Sequence, residues 1–259
     1  MDKFLTTLLS ALSLASLPLK AQETDLSFID DFKQLKPHAW DVADYDFSHP
    51  HFDTDWRKSN VVFGHPLQDT QIGLLLKIVP NSFKISAENR FLGGSIRRKI
   101  PTHYGRYESM IQPAKGDGFV TGFFTYTGPY YGTTHDEIDI EFLGKNTNQI
   151  HIAWFKDGVL KNKLIDLSFD ASERPRLYSF EWLPDRINWF VEDTLIFSAE
   201  IEKENLPDTP SMLFANVWAA DPSISNWAGT VIPNQSGAAW FGDVKFTPHH
   251  LLSQVKITD

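Results

Sequence analysis

The sequence predicts an all-β protein, a sandwich or jelly roll of antiparallel strands. Three observations predict it: short apolar/polar alternating runs recur along the chain, turn residues separate them, and helical periodicity is scarce. In chain order, the runs begin with Gly73 to Val79 ("GLLLKIV"), Arg106 to Ile111 and Phe119 to Tyr126. The segment "EIDIE" follows, then Gln149 to Phe155. Tyr178 to Trp182 ("YSFEW") is closed by a turn at Leu183-Pro184-Asp185 and leads into Arg186 to Val191 ("RINWFV"). Glu192-Asp193 then turns the chain into Leu195 to Ala199. Many short strands joined by turns are the pattern of two-sheet β folds. A helix is expected near His249 to Val255.

Phe4 to Leu19 is apolar or small and uncharged, with Ala21 at a plausible cleavage point. Residues 1–21 therefore read as a secretory leader. Residues 22–259 carry no internal repeat and no Pro/Gly/Ser linker, and their length suits one large β domain. An exported protein, secreted or periplasmic, is expected. There is no cysteine, so neither disulfides nor thiolate chemistry can contribute. The formal net charge of −9 disfavours nucleic acid and anionic membrane surfaces as partners, because both demand Lys/Arg surfaces. Eight Trp in an acidic chain fit a neutral ligand with flat faces, such as a sugar chain. A monomer is expected.

The most informative stretch is His135 to Glu141, "HDEIDIE". On a strand, successive side chains alternate between faces. Ile138 and Ile140 then anchor the core, and Glu137, Asp139 and Glu141 project together from the other face. Three adjacent like charges repel and make poor strand material, so the arrangement asks for a use. Positions i and i+4 lie about 13 Å apart along a strand. Side chains leaning together can close that to the roughly 5–5.5 Å between the two carboxyls of retaining glycosidases. One would act as nucleophile and the other as proton donor, and a third acid between them can share a proton and raise the donor's pKa. Divalent-cation binding by the same acids competes with this reading. His49-Pro50-His51 and His249-His250 match no closed metal site.

"HDEIDIEFLG" resembles the catalytic signature of family-16 glycoside hydrolases, which fold as concanavalin-like β-jelly rolls with a cleft on the concave face. The likeness runs from about Phe28 to Thr247. It is strongest to bacterial lichenases, endo-β-1,3-1,4-glucanases, through "GRYESMIQPAKGDGFVTGFFTYTGP", "YSFEWLPDRINWFVEDTLI" and "LFANVWAADPSISNWAG". The resemblance implies Glu137 as nucleophile, Asp139 as assisting acid and Glu141 as acid/base. It implies Phe124, Tyr126, Asn216, Trp218, Trp227 and Arg97 as sugar contacts. Trp182 and Trp189 belong to alternating strands and are expected in the core. Trp218 and Trp227 fall near Asp221-Pro222 and Gly229 and are expected on loops beside the cleft.

Several positions depart from the lichenase pattern. His135 stands where a Trp is usual, as in plant xyloglucan endotransglucosylases; it is counted among the candidate substrate-binding residues, although a lone His there reads first as a hydrogen-bonded structural residue. Ala153-Trp154-Phe155 replaces an Asn-x-Tyr, and Ser95 replaces a Glu. An Asp that helps hold calcium falls at Gly242, with Asp243 one step on. No cofactor and no catalytic metal are expected, and a structural calcium is left open. The expected activity is retaining endo-hydrolysis of a β-glucan, most simply the mixed-linkage β-1,3-1,4 polymer. β-1,3-Glucan, xyloglucan or galactan, transglycosylation, and a non-catalytic lectin-like module remain the alternatives.

Overall fold

The computed structural model describes residues 26–67, 71–82, 89–202 and 204–252; the expected leader lies outside them. Sixteen strands are present among the described residues: β1 (Phe28–Asp30), β2 (Trp40–Val42), β3 (Thr54–Trp56), β4 (Val61–Leu67), β5 (Gln71–Pro80), β6 (Phe91–Arg98), β7 (Gly105–Gln112), β8 (Phe119–Thr127), β9 (Asp136–Leu143), β10 (Gln149–Lys156), β11 (Val159–Asp166), β12 (Arg176–Trp182), β13 (Arg186–Val191), β14 (Thr194–Glu200), β15 (Met212–Ala219) and β16 (Gly237–Pro248). Pairing is antiparallel except between β3 and β6. The order is β11-β10-β9-β8-β15-β6-β5-β16-β7-β12-β13-β14. β6 joins the two halves: Phe91, Leu92 and Gly93 pair with β5, and Gly94 to Arg97 pair with β15. The result is the expected jelly-roll-like sandwich.

Alternation fixes which way each strand faces. Ile138 and Ile140 of β9, Ile150 and Ile152 of β10, Phe123 of β8, and Leu213 and Val217 of β15 are all buried. They meet Tyr107, Tyr178, Phe180, Trp189 and Phe246 of the opposing sheet in one core. Phe142 packs edge-on to Tyr178 at 4.8 Å, and Trp154 lies 5.6 Å from Trp189. Each isoleucine buried here contributes about 1.5–3 kcal/mol. Trp182 and Trp189 are fully buried, as expected.

Two hairpins show how local chemistry sets register. Asp157 and Gly158 both take positive φ (52° and 81°) in the two-residue turn between β10 and β11, the twist that matches flanking strands. Glu192 and Asp193 do the same between β13 and β14, at 47° and 62°. Their side chains bond Arg176 and Arg106, ties that hold this non-glycine turn in place. The expected C-terminal helix covers His249–Leu252; residues 253–255 lie outside the described segment.

Candidate active site

β9 carries the site, and its neighbours build the floor. Glu137 stands between Tyr126 of β8 and Phe155 of β10. Asp139 stands between Phe124 and Ala153, and Glu141 between Gly122 and His151. The rows continue onto β15 and β6: Phe124 pairs with Phe214 and that with Arg97, while Gly122 pairs with Asn216 and that with Ser95. One strand thus aims three acids onto a face that five further strands extend. A Cβ on Gly122 would come within 2.7 Å of Asn216 Oδ1, so glycine keeps the floor open beside Glu141.

The acids are distinguished by their partners. His135 Nε2 lies 2.5 Å from Glu137 Oε2, and the imidazole stacks on Phe155 at 4.3 Å. His151 Nδ1 lies 2.9 Å from Glu141 Oε2. Asp139 is 4% exposed and hydrogen-bonds Glu137. Burial, then the charges of Glu137 and Glu141, push the Asp139 carboxyl well above the usual carboxylate range. Burial also raises Glu137, opposed by hydrogen bonds from His135 and Asp139. Asp139 and Glu137 therefore hold a proton more readily than isolated carboxylates, and the two titrate together. From the core side, Trp189 Nε1 donates to the Asp139 carbonyl at 3.0 Å, tying the strand to the opposing sheet.

Asp136, the fourth acid of the heptad, does different work. It sits on the isoleucine side of the alternation and is completely buried. Its carboxylate accepts backbone N–H groups of Asp157 (3.1 Å), Asp208 (3.0 Å) and Thr209 (3.1 Å), with Lys156 Nζ at 3.3 Å. Burial alone would raise its pKa; the donors outweigh burial and hold it below the ordinary value.

The other expected site residues divide into two groups. Phe124, Tyr126 and Asn216 share the face of the acids, and Asn216 Oδ1 is buried without a partner. Arg97 also lies on this face; partly exposed, it is tied to Asp41 (2.5 Å) and to the Tyr131 hydroxyl (2.6 Å). Trp218 corrects its expectation. It is a strand residue of β15, 5% exposed, stacked on Phe52 at 4.0 Å. The alternation Leu213, Ala215, Val217 inward and Phe214, Asn216, Trp218 outward runs past the point where turn residues suggested a loop. Trp227 lies in the short helix Ser225–Ala228, 6.0 Å from Trp218 and 5.5 Å from His151.

His151, Tyr131, Asp41 and Phe52 escaped the sequence reading. For His151 a signal existed: period-two alternation puts 151, 153 and 155 on one face of β10. What pairs it with Glu141 is the register across the Gly144–Asn148 connection, which its residues do not dictate. Among the described residues no group of three or more His, Asp or Glu side chains is set to hold a metal ion. No helix among them is long and apolar enough to cross a membrane. A hollow of about 270 Å³ lined by Lys156, Lys161 and Glu204 lies on the other side of β10 and β11 from the acids.

A face of aromatic rings around paired carboxylates, on an antiparallel sandwich, is the design of a polysaccharide-cleaving glycoside hydrolase. The comparisons make this specific. The family described as Glycosyl hydrolases family 16 matches residues 48–237, and the chain belongs to that family. It is 35% identical over 221 residues to a beta-glucanase of Paenibacillus polymyxa, covering 85% of this chain and 87% of the relative. It is 34% identical over 209 residues to a beta-glucanase of Bacillus subtilis strain 168, covering 80% and 81%. A crystal structure of a prokaryotic beta-1,3-1,4-glucanase (lichenase) from a mouse hindgut metagenome superposes with a TM-score of 0.78 at 30% identity, covering 86% of this chain and 99% of that one. The Bacillus licheniformis beta-glucanase gives 0.76 at 32% identity, covering 86% and 98%. The protein is a glycoside hydrolase, and its substrate is a polysaccharide.

Proposed function

We propose that this protein hydrolyses internal linkages of mixed-linkage β-1,3-1,4-glucan with retention of configuration. Glu137 attacks the anomeric carbon and the C–O bond to the leaving sugar breaks. Glu141 delivers its proton to the departing oxygen. Glu141 then takes a proton from water, which releases the sugar from Glu137. His135 and Asp139 both hydrogen-bond Glu137, which opposes the rise that burial imposes on its carboxyl and favours the ionised form that attacks. Phe124, Tyr126 and Trp227, each partly exposed, offer ring faces to sugar C–H groups, while Trp218, buried against Phe52, backs Trp227. The reaction so written needs neither metal nor organic cofactor. The leader at 1–21 supports export, and a single catalytic domain over 22–259 acting as a monomer completes the reading.

The observation that carries this is the trio on one face of β9 with a separate histidine on each outer glutamate. The beta-1,3-1,4-glucanase activity named for a relative of matching fold supports the choice of polymer. A panel of barley glucan, laminarin, xyloglucan and carrageenan, with products sized, tests it. Barley glucan should be cut fastest, into short oligosaccharides, and Glu137→Gln should release no sugar. Preference for another polymer would refute the specificity. Equal release by Glu137→Gln would refute the nucleophile, and no release by the wild type from any of the four polymers would return the lectin-like reading.

A further inference from the structure

His151 is 6% exposed, closed in by β9, β11 and the Trp227 ring. Among the described residues its ring makes one hydrogen bond, from Nδ1 to Glu141 Oε2 at 2.9 Å. That bond can be drawn two ways. If Glu141 Oε2–H donates to the imidazole, the acidic proton points into the sheet, away from any sugar. If Nδ1–H donates, Oε2 is occupied as an acceptor and the proton must sit on Oε1, the oxygen left free for the leaving group. A neutral imidazole carries one N–H, and among the described residues only Nδ1 has a protein partner to receive it. With no protein acceptor at Nε2, the favoured tautomer is the Nδ1–H form.

We infer that His151 is a positioning residue that places the acidic proton of Glu141 on the oxygen facing the scissile bond. The inference rests on the acid/base role proposed for Glu141. His135 stands apart from it: that ring is more exposed, uses Nε2, and serves the other glutamate. In the productive arrangement Nδ1–H donates to Oε2, and the Oε1 proton passes to the glycosidic oxygen as the C–O bond breaks. The electron pair of that bond stays with the leaving sugar.

Leaving-group dependence separates this from a packing role, since a dinitrophenolate departs without a proton and a sugar alkoxide does not. kcat/KM is measured on barley glucan and on a 2,4-dinitrophenyl β-gluco-oligosaccharide for wild type, His151→Leu, His151→Gln and Glu141→Gln. His151→Leu should lose about 10- to 100-fold on glucan, within the range of general-acid effects, and stay near wild type on the aryl substrate. His151→Gln, which restores an N–H donor, should recover most of the loss. Equal losses on both substrates, or no loss on glucan while Glu141→Gln fails there, would overturn the inference. Glu141→Gln cutting glucan at the wild-type rate would overturn the acid/base reading as well. Nitrogen-15 NMR of the unsubstituted protein gives a check that needs no variant: a neutral His151 ring protonated at Nδ1 agrees, and one protonated at Nε2 refutes it.

Discussion

Replacing Asp136 by alanine separates the two kinds of acid in the heptad. In the folded protein the Asp136 carboxylate takes the N–H groups of Asp157, Asp208 and Thr209 in a site closed to water. Alanine leaves those donors without an acceptor, each costing about 1–3 kcal/mol if it stays dry. Lys156 keeps Asp208 at 2.6 Å, so its charge is not stranded, and the 208–209 segment can admit some water. The net loss is about 3–5 kcal/mol, out of a total stability of about 5–15 kcal/mol. At about 2–4 °C per kcal/mol for a chain of this size, the melting temperature should fall by about 6–20 °C. Thermal unfolding by circular dichroism at neutral pH reads this directly, with Glu137→Gln as a control that abolishes turnover and melts near wild type. The pH dependence has a definite sign. The folded pKa of Asp136 lies below its ordinary value, so its stabilisation is complete above about pH 4 and is lost as pH falls through the folded value. Wild type and Asp136→Ala should therefore converge in acid. A melting temperature within 2 °C of wild type at about pH 7, against the drop expected from these donors, would refute the reasoning.

Three further outcomes follow from the same geometry. Asp139→Asn removes the carboxyl coupled to Glu137; turnover should fall and the acidic limb of the kcat/KM profile should shift, read by pH-rate measurements on barley glucan, and an unchanged profile would count against the coupling. Trp189→Phe removes the donor to the Asp139 carbonyl and should cost about 1–3 kcal/mol in denaturant unfolding. Chelation with EDTA should leave kcat on barley glucan unchanged, because the proposed steps use carboxylates and imidazoles alone; loss of kcat restored by calcium would contradict that.

The sequence carried the strands and the direction of the acids because both rest on period-two alternation. "EIDIE" needs no neighbour to show that its isoleucines and acids part company, and Trp182 and Trp189 declare themselves core by the same rule. Cross-strand partners depend on register, which is a property of the whole sheet. His151 facing Glu141 is set by the β9–β10 pairing, and Arg97 held by Asp41 and Tyr131 joins residues from three distant segments. Trp218 was misplaced because Asp221-Pro222 signals a turn without saying where the preceding strand stops. The role of Asp136 is not legible in the heptad, because a buried carboxylate is recognised only by the N–H groups it meets.

The most direct test is intact-mass spectrometry of the protein after brief exposure to a 2-deoxy-2-fluoro β-gluco-oligosaccharide with a dinitrophenyl leaving group, followed by peptide mapping. The account predicts one covalently attached oligosaccharide, on Glu137. Attachment at Asp139 or Glu141, or rapid turnover with inverted product and no adduct, would contradict it.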